Sequence, residues 1–243
     1  MARKTATKKN TEVQTSKGML PDGLINEAPV VYPLATTSIV AEQLYSNPER
    51  RPNKSGPWDN EADKVAWVDE ATGFGCIMLR QTDGTLSGYV GIGPDHPLYG
   101  FKADAVPLDI STTIHGGLTY GKACEANRVE LHAKSRSVQE RYSVCHVTRT
   151  RTRVVHYHDT VQTTEDEFHE DLWWVGFDTN HDGDVRPNDP RYRRRTGDVY
   201  RDQSFVYAQC MALAQCLQGV ANQVSGSEPT PRSPLLEDKR GKK

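Results

Sequence analysis

Apolar residues occur along the middle of the chain in short runs whose spacing predicts β-strands. The runs Gly75–Arg80 and Leu86–Ile92 flank Asp83-Gly84, a pair that favours the backbone of a tight turn. Together they predict a β-hairpin. A denser apolar run, Leu172–Phe177, predicts a central strand.

Towards the C-terminus the apolar side chains change to a helical spacing. They recur at intervals of three and four residues between Asp202 and Val220, and Asp198 or Asp202 is a candidate N-cap. Several strands followed by one long helix predict an α+β fold. In this fold a mainly antiparallel sheet carries the C-terminal helix on one face.

Four further segments complete the predicted elements. The mixed residues of Ser38–Tyr45 predict a short helix, whereas Pro107–Leu118 predicts a strand that leads into a Gly-rich loop. The alternating stretch Tyr142–Tyr157 predicts another strand, and the acidic Glu165–Glu170 predicts a surface loop or turn.

The two ends of the chain differ from its middle in composition. Hydrophobic residues make up 36% of the 243 residues, and both ends lack the large apolar side chains that offset the entropy of ordering. We therefore predict a disordered basic tail over residues 1–28, a single α+β domain over residues 29–224 and a disordered tail over residues 225–243. The net charge of −2 excludes a protein that binds nucleic acid as a polycation over its whole surface. Weak nucleic-acid contact is a candidate role for the basic N-terminal tail.

The cysteine pattern bears on the compartment. Five cysteines are present, an odd number, and no Cys-x-x-Cys pair occurs. This pattern argues against a secreted disulfide framework and against a structural zinc ribbon. Because no apolar run reaches the length of a signal peptide or a membrane span, we expect a cytoplasmic protein with reduced thiols and no membrane contact.

The segment after Leu172–Phe177 matches the opening of a calcium loop, D-x-[DN]-x-[DN]-G. The expected ligand positions fall on Asp178, Asn180, Asp182 and Asp189. The context differs from an EF-hand, because the preceding residues predict a strand where that motif needs a helix. Calcium binding is therefore kept as one of several interpretations.

Two loops combine glycine with histidine and tyrosine. They are Asp95-His96-Pro97-Leu98-Tyr99-Gly100 and His115-Gly116-Gly117-Leu118-Thr119-Tyr120. Glycine permits close approach of the backbone to a ligand, and imidazole and phenol groups donate and accept protons. The alternative is that the glycines form turns and the histidines are polar residues with ordinary hydrogen bonds.

Two arginine-rich segments are candidate anion contacts. The three arginines at alternate positions, Arg149, Arg151 and Arg153, would share one face of a strand. There they would clamp a phosphate or form a solvated surface. The run Arg191–Arg195 is a denser basic patch that we expect on an exposed loop.

Several motifs then occur in a fixed order. They are Gly88-Tyr89-Val90-Gly91 with His96-Pro97-Leu98-Tyr99-Gly100, His115-Gly116-Gly117-Leu118-Thr119-Tyr120, Trp174-x-Gly176-Phe177-Asp178-x-x-His181-x-Gly183-Asp184, and Tyr200-Arg201-Asp202. In order and spacing they resemble a family of uncharacterised proteins carried by bacteriophages and bacterial mobile elements. The resemblance implies a phage-type accessory protein in the host cytoplasm, and the family has no established activity that could be carried over to this chain. It also implies that Asp178, His181 and Asp184 are family positions whereas Asp182 is not, which favours a site built from those three over calcium.

The leading hypothesis is a pocket lined by His, Asp and Tyr where the loops follow predicted strands. Its expected catalytic residues are His115, Asp178 and His181. Its expected ligand-binding residues are His96, Tyr99, Gly116, Gly117, Thr119, Tyr120 and Arg201. A divalent metal held by Asp178, His181 and Asp184 would assist hydrolysis or transfer on a small polar or nucleotide-like ligand.

Two alternatives stay open. The first is a non-catalytic protein that binds and sequesters a host protein or a small molecule, which the tails and the Arg191–Arg195 run favour. The second is a protein with a calcium-stabilised loop. The sequence does not decide whether the chain is an enzyme, and the alternatives differ in whether His115, Asp178 and His181 meet in space.

Overall fold

The computed structural model describes residues 23–26, 29–124, 144, 149–157, 160–168 and 171–226. The strands in these residues are β1 (Gly23–Asn26), β2 (Val30–Pro33), β3 (Ser38–Ser46), β4 (Lys64–Val68), β5 (Gly75–Arg80), β6 (Leu86–Ile92), β7 (Tyr120–Ala123), β8 (Arg149–Tyr157), β9 (Thr160–Phe168) and β10 (Trp173–Asp178). The α-helices are α1 (Leu108–Thr113) and α2 (Gln203–Gly226), and single 3-10 turns occur at Pro57–Asn60 and Ala103–Ala105.

Eight of these strands form one antiparallel sheet. Its order is β1-β3-β4-β5-β6-β10-β7, with β2 also paired to β3. Strands β8 and β9 form a separate two-stranded hairpin. Helix α2 packs on the sheet against β5 and β6. The predicted α+β class, with a C-terminal helix on one face of a mainly antiparallel sheet, is confirmed.

The β5–β6 hairpin forms as predicted, because its turn has the chemistry that the pair Asp83-Gly84 indicates. Gly84 has a φ of +83°, which other residues rarely adopt. The Asp83 carboxylate accepts hydrogen bonds from the backbone N–H of Thr85 (3.0 Å) and from its hydroxyl (2.6 Å). The turn therefore fixes the register Arg80↔Leu86 from which the rest of the hairpin follows.

The core lies between α2 and the sheet. Val206, Leu213 and Leu217 of α2 are fully buried and share one face of the helix. Phe177 of β10 and Val90 of β6 meet them from the sheet. The opposite face of the sheet carries a second buried cluster, made by Tyr45, Ala66, Ile77, Leu79, Tyr89, Cys124, Val144 and Trp174.

A buried network of charges joins the sheet to the start of α2. Arg80 donates to Asp63 Oδ1 (2.7 Å) and to Glu61 Oε2 (2.8 Å), and all three side chains are at most 10% exposed. The Tyr200 hydroxyl donates to Glu61 Oε2 (2.6 Å) and accepts from Arg80 Nη1 (2.8 Å). Gln203, the first residue of α2, donates its backbone N–H to Glu61 Oε1 (3.1 Å). These bonds fix the position of the residues that lead into the helix.

Some predicted elements were wrong. Ser38–Tyr45, predicted as a helix, belongs to strand β3, which pairs with β1, β2 and β4. Pro107–Leu118, predicted as a strand, contains helix α1, which begins directly after Pro107. Most of Glu165–Glu170, predicted as a loop, lies in β9. These errors arise because long-range pairing and a Pro at the helix start outweighed the local apolar pattern.

The predicted domain limits also shift. Strand β1 lies inside the segment 1–28 that was predicted to be a disordered tail, so the domain begins by Gly23. Helix α2 continues to Gly226, past the predicted domain end at residue 224. The other residues of both predicted tails lie outside the described residues.

The expectation that all cysteines are reduced thiols was wrong. Cys124, which directly follows β7, is disulfide-bonded. Cys76, Cys210 and Cys216 are free thiols. Within the described part of the chain, none of the helices combines the length and the apolar character needed to cross a membrane.

Replacing Arg80 with Met is expected to lower the free energy of unfolding by about 3–5 kcal/mol, because it leaves the Glu61 carboxylate without its cation and leaves Asp63 with Arg51 alone. Urea unfolding followed by circular dichroism measures the change. Arg194→Met, at an exposed position, is the matched control and should shift stability by less than about 0.5 kcal/mol. Equal effects of the two substitutions would contradict this role of the network.

Lys64 makes stability depend on pH. Burial lowers the pKa of Lys64 to about 7, whereas a lysine in an unfolded chain titrates near 10.4. Between these values the unfolded chain binds a proton that the folded protein does not, so stability rises with pH across this window. We expect the free energy of unfolding to increase from pH 7 to pH 10 in the wild type relative to Lys64→Met. Parallel pH curves for the two proteins would refute the assignment.

Candidate functional site

Asp184 lies at the centre of a polar cluster beside helix α2. It belongs to the connection between β10 and α2, and its side chain is fully buried. A parallel β-bridge pairs Asp184 with Val199, supported by the bonds Val185 N–H to Val199 O (3.0 Å) and Val199 N–H to Gly183 O (2.9 Å). The bridge closes the connection into a loop, and it brings Arg201 to Asp184. Arg201 Nε donates to Asp184 Oδ1 at 2.8 Å.

His115 reaches the same carboxylate from the loop after α1. Its Nε2 lies 2.7 Å from Asp184 Oδ2. Helix α2 fixes the residue, since the backbone N–H of His115 donates to Gln209 Oε1 (2.7 Å) and its ring meets Phe205 edge-to-face at 5.2 Å. Phe205 and Gln209 are four residues apart and thus lie on one face of the helix. The sequence did not lead us to these two supporting residues. The signal that could have identified them is their four-residue spacing on the predicted helix.

His181 completes the cluster. Its backbone N–H donates to Asp184 Oδ2 (3.1 Å), and its ring stands edge-to-face against His115 with centroids 5.3 Å apart. Gly116 packs directly on the His181 ring, has a φ of +69°, and leaves no space for a Cβ atom. His115 therefore supplies one imidazole of the cluster. Gly116 supplies the surface against which the second imidazole, that of His181, packs.

The His181 Nδ1 atom is buried and makes no hydrogen bond; the nearest cluster oxygen, Asp184 Oδ2, is 3.6 Å away. Buried polar atoms are normally satisfied, so one without a partner needs an explanation. Donor atoms of His115, His181 and Asp184 all lie within 4.8 Å of one another. Among the described residues this is the one group of three or more His, Cys, Asp or Glu side chains that could hold a metal ion.

The cluster is buried on one side and open on the other. The side chains of His115 and His181 are 20% and 29% exposed, whereas the Asp184 side chain is 0% exposed. The two carboxylate oxygens also differ in their environment. Oδ1 accepts from Arg201, and Oδ2 faces both histidines. Arg201 therefore holds the carboxylate so that one oxygen is directed at the two imidazoles.

Asp178 does not join this cluster. Along β10, Val175 and Phe177 face α2, so the alternation of a strand sends Asp178 to the opposite face with Trp174. There its carboxylate accepts from the hydroxyls of Ser87 (2.6 Å) and Thr119 (2.8 Å). The predicted metal set of Asp178, His181 and Asp184 is therefore not assembled, and His115 takes the third position. Thr119, also predicted to bind ligand, is bound to Asp178 instead.

Three other predicted residues lie elsewhere. His96 is buried, with Nδ1 accepting from Leu98 N–H (3.1 Å) and Nε2 donating to Leu217 O (2.9 Å). Tyr99 donates to Asp171 at 2.8 Å, just before the start of β10. The connection that carries His181 and Asp184 leaves the opposite end of this strand, which is about 17 Å long. Tyr120 packs edge-to-face on Tyr89, on the sheet face away from α2.

The predicted calcium ligands each have a different partner. Asp182 Oδ1 binds Arg195 Nη2 at 2.7 Å, Asp189 Oδ1 accepts the Arg191 N–H at 2.9 Å, and Asp178 binds its two hydroxyls. Asn180 Nδ2 lies 3.5 Å from Asp83 Oδ2. These oxygens do not converge on one position, so the arrangement does not fit the calcium loop that the spacing predicts. Of the predicted site residues, the structure brings together His115, Gly116, His181, Asp184 and Arg201, with Gly117 adjacent.

Gly116 tests how tightly the two histidines are packed. Gly116→Ala and Gly100→Ala both place a side chain at a positive φ, which costs about 1–2 kcal/mol, but only Gly100 has nothing within 4 Å of the new Cβ. We expect Gly116→Ala to be the more destabilising of the two by at least about 1 kcal/mol, because its Cβ overlaps the His181 ring. Chemical denaturation of both variants measures the difference. Equal losses would mean that the His181 ring is free to move aside.

Comparison of the chain with family models, with curated proteins and with solved structures found no match. The resemblance to phage and mobile-element proteins therefore stays a prediction. The functional assignment depends on the geometry of the cluster made by His115, His181, Asp184 and Arg201.

Proposed function

We propose that His115, His181 and Asp184 bind a divalent transition metal, zinc in the first instance, and that the protein is a metal-dependent hydrolase or transferase. Its ligand would be small and polar, or nucleotide-like. The observation that carries the proposal is the buried Nδ1 atom of His181, which has no hydrogen-bond partner yet lies beside a carboxylate oxygen and a second imidazole. A metal ion at this point would give that nitrogen its missing partner.

The donor set suits such a metal. Two imidazoles and one carboxylate are the protein ligands of several zinc hydrolases, in which a fourth position stays open for water or substrate. The partial exposure of both histidines provides that open side. A zinc ion bound here would lower the pKa of a coordinated water towards neutrality and polarise a carbonyl or phosphoryl oxygen.

The two distances from Asp184 Oδ2 to the histidine nitrogens require little movement for metal binding. Ligand atoms about 2.0–2.1 Å from a tetrahedral zinc ion lie roughly 3.3 Å from one another. In the structure, Asp184 Oδ2 is 2.7 Å from His115 Nε2 and 3.6 Å from His181 Nδ1. One separation would open and the other would close, each by less than about 1 Å. His115 would exchange its hydrogen bond to Oδ2 for a bond to the metal.

Arg201 has two roles in this proposal. Its Nε–H holds Asp184 Oδ1, which is the kind of support that orients a metal-binding carboxylate. Its guanidinium also lies over the Phe205 ring at 4.7 Å and is 26% exposed. Within the described residues its other nitrogens have no hydrogen-bond partner. They are available to an anionic oxygen, which favours a phosphate or carboxylate group in the substrate.

A metal-free function is the second candidate. The 2.7 Å contact between His115 Nε2 and Asp184 Oδ2 is also the contact by which a carboxylate orients a histidine for acid–base work or for binding a ligand without chemistry. This candidate gives no account of the unpaired His181 Nδ1. It therefore serves as the alternative outcome of the metal experiment.

The thermal midpoint of chelator-treated protein, measured alone and with zinc, manganese, magnesium or calcium, tests the proposal. Binding to the folded state alone stabilises it, by about 2.7 kcal/mol at a metal concentration 100 times Kd. We expect zinc or manganese to raise the midpoint in the wild type and to have no such effect in His181→Gln or His115→Gln. The metal-loaded protein should also hydrolyse at least one of p-nitrophenyl phosphate, bis(p-nitrophenyl) phosphate and p-nitrophenyl acetate.

Asp178→Asn is the matched control, because it removes a nearby carboxylate on the opposite face of the sheet. This variant should keep the full zinc-dependent rise. A wild-type midpoint that no metal raises would refute the metal site and leave the metal-free candidate. A rise that persists in both histidine variants would place the metal elsewhere.

A further inference from the structure

The connection that delivers His181, Asp184 and Arg201 also carries a group of exposed arginines. We call residues 186–195 the arginine loop. Its exposed members are Arg191, Arg193, Arg194 and Arg195. The net charge of the whole chain is −2, so this concentration of positive charge is local.

Within the part of the chain that the structure describes, most of these guanidinium groups are not paired with a carboxylate. Arg193 Nη1 donates to the backbone carbonyls of Pro190 (2.9 Å) and Tyr192 (3.1 Å). Within the described residues, Arg191 and Arg194 form no ion pair. The exposed side chains of Arg191, Arg193 and Arg194 therefore have no carboxylate partner among the described residues.

The acidic residues of the same segment are used to shape the backbone. The Asp198 carboxylate accepts from the Tyr192 hydroxyl and from the Arg195 N–H (2.7 Å). Asp189 accepts the Arg191 N–H (2.9 Å). Arg186 lies over the Tyr192 ring at 5.0 Å. The loop therefore has a defined conformation in which its carboxylates turn inward to the backbone and its arginines turn outward.

The arginine loop adjoins the candidate metal site. Arg195 Nη2 bonds to Asp182, the residue that follows His181. Just beyond the same end of the loop, Val199 is bridged to Asp184. A chain of anionic groups lying along the loop would therefore run next to the segment that carries His181 and Asp184.

The number of arginines selects the class of ligand. One small anion needs only Arg201, whereas several further guanidinium groups along a neighbouring loop match a ligand with repeated phosphates. Arginine forks bind phosphate oxygens in pairs, and such backbone contacts carry no sequence information. The Tyr192 ring is covered by Arg186 and its hydroxyl is bound, so this loop does not offer an open platform for stacking bases.

We propose that the arginine loop binds the sugar–phosphate backbone of a nucleic acid, without sequence preference, and places one phosphodiester at the His115–His181–Asp184 site. Cleavage there rests on the proposed function; binding by the loop does not. In the cleavage step the oxygen of a water molecule bonds to phosphorus and the bond from phosphorus to one sugar oxygen breaks. That sugar oxygen takes a proton from the water, which gives a phosphate monoester and a free hydroxyl.

The test is fluorescence anisotropy of the full chain with labelled 20-nucleotide single-stranded and duplex DNA, between 50 and 200 mM salt. We expect Arg191→Ser/Arg193→Ser/Arg194→Ser to weaken binding by on the order of tenfold, and to reduce the slope of log K against log salt for duplex by about three. The matched control removes the same charge from exposed lysines elsewhere, as Lys54→Ser/Lys102→Ser/Lys122→Ser. It should bind almost as the wild type does.

Equal losses in the two triple variants, or none in either, would overturn the proposal. Competition by a polyglutamate peptide as strong as that by unlabelled DNA would also overturn it, in favour of an acidic protein partner. The zinc-dependent rise in thermal midpoint, measured on the same arginine variant, separates the two ideas. If the rise persists while DNA binding falls, both proposals stand; if the wild type shows no rise, the metal site fails whatever the anisotropy shows.

Discussion

The buried guanidinium of Arg80 is the group on which the arrangement of the site depends. It is held between Asp63 and Glu61, and Glu61 in turn binds Tyr200 and the first residue of α2. Removing the arginine, or removing its carboxylate partners, would leave a charge in a low-dielectric environment, where an unpaired charge is costly. The network therefore defines where α2 begins. That point is also where the chain leaves the connection that carries the polar cluster.

The cluster inherits its geometry from this anchor. Tyr200 is fixed by Arg80 and Glu61, and the next residue, Arg201, binds Asp184. Two successive residues thus link a structural network on one side to a candidate metal site on the other. Helix α2 adds the second constraint, because Phe205 and Gln209 hold His115 against the same carboxylate. The site is therefore supported by packed elements, although its donors lie on loops.

The features that the sequence predicted were those with local causes. The hairpin follows from turn chemistry at Asp83-Gly84, and α2 follows from its 3.6-residue apolar period. Strand β3 was missed, since its conformation depends on pairing with distant strands. For the site, the glycine- and histidine-rich loop pointed to His115, and the resemblance to phage-type proteins pointed to His181, Asp184 and Arg201. The resemblance also included Asp178, because a motif does not show on which face of the sheet the connection after β10 folds back.

The bridge between Asp184 and Val199 has a consequence for how the molecule tolerates change. It joins the chain before the arginine loop to the chain after it, so the link from Asp184 to Arg201 crosses the bridge and does not pass through the exposed part of the loop. Lengthening a closed surface loop costs little, roughly 0.6 kcal/mol for each doubling. Insertions, deletions and substitutions in the exposed part of the loop that keep the bridge and the Arg195–Asp182 bond would therefore leave the donor geometry intact. A variant with an outer loop of another charge or length would therefore take a different ligand on an unchanged centre.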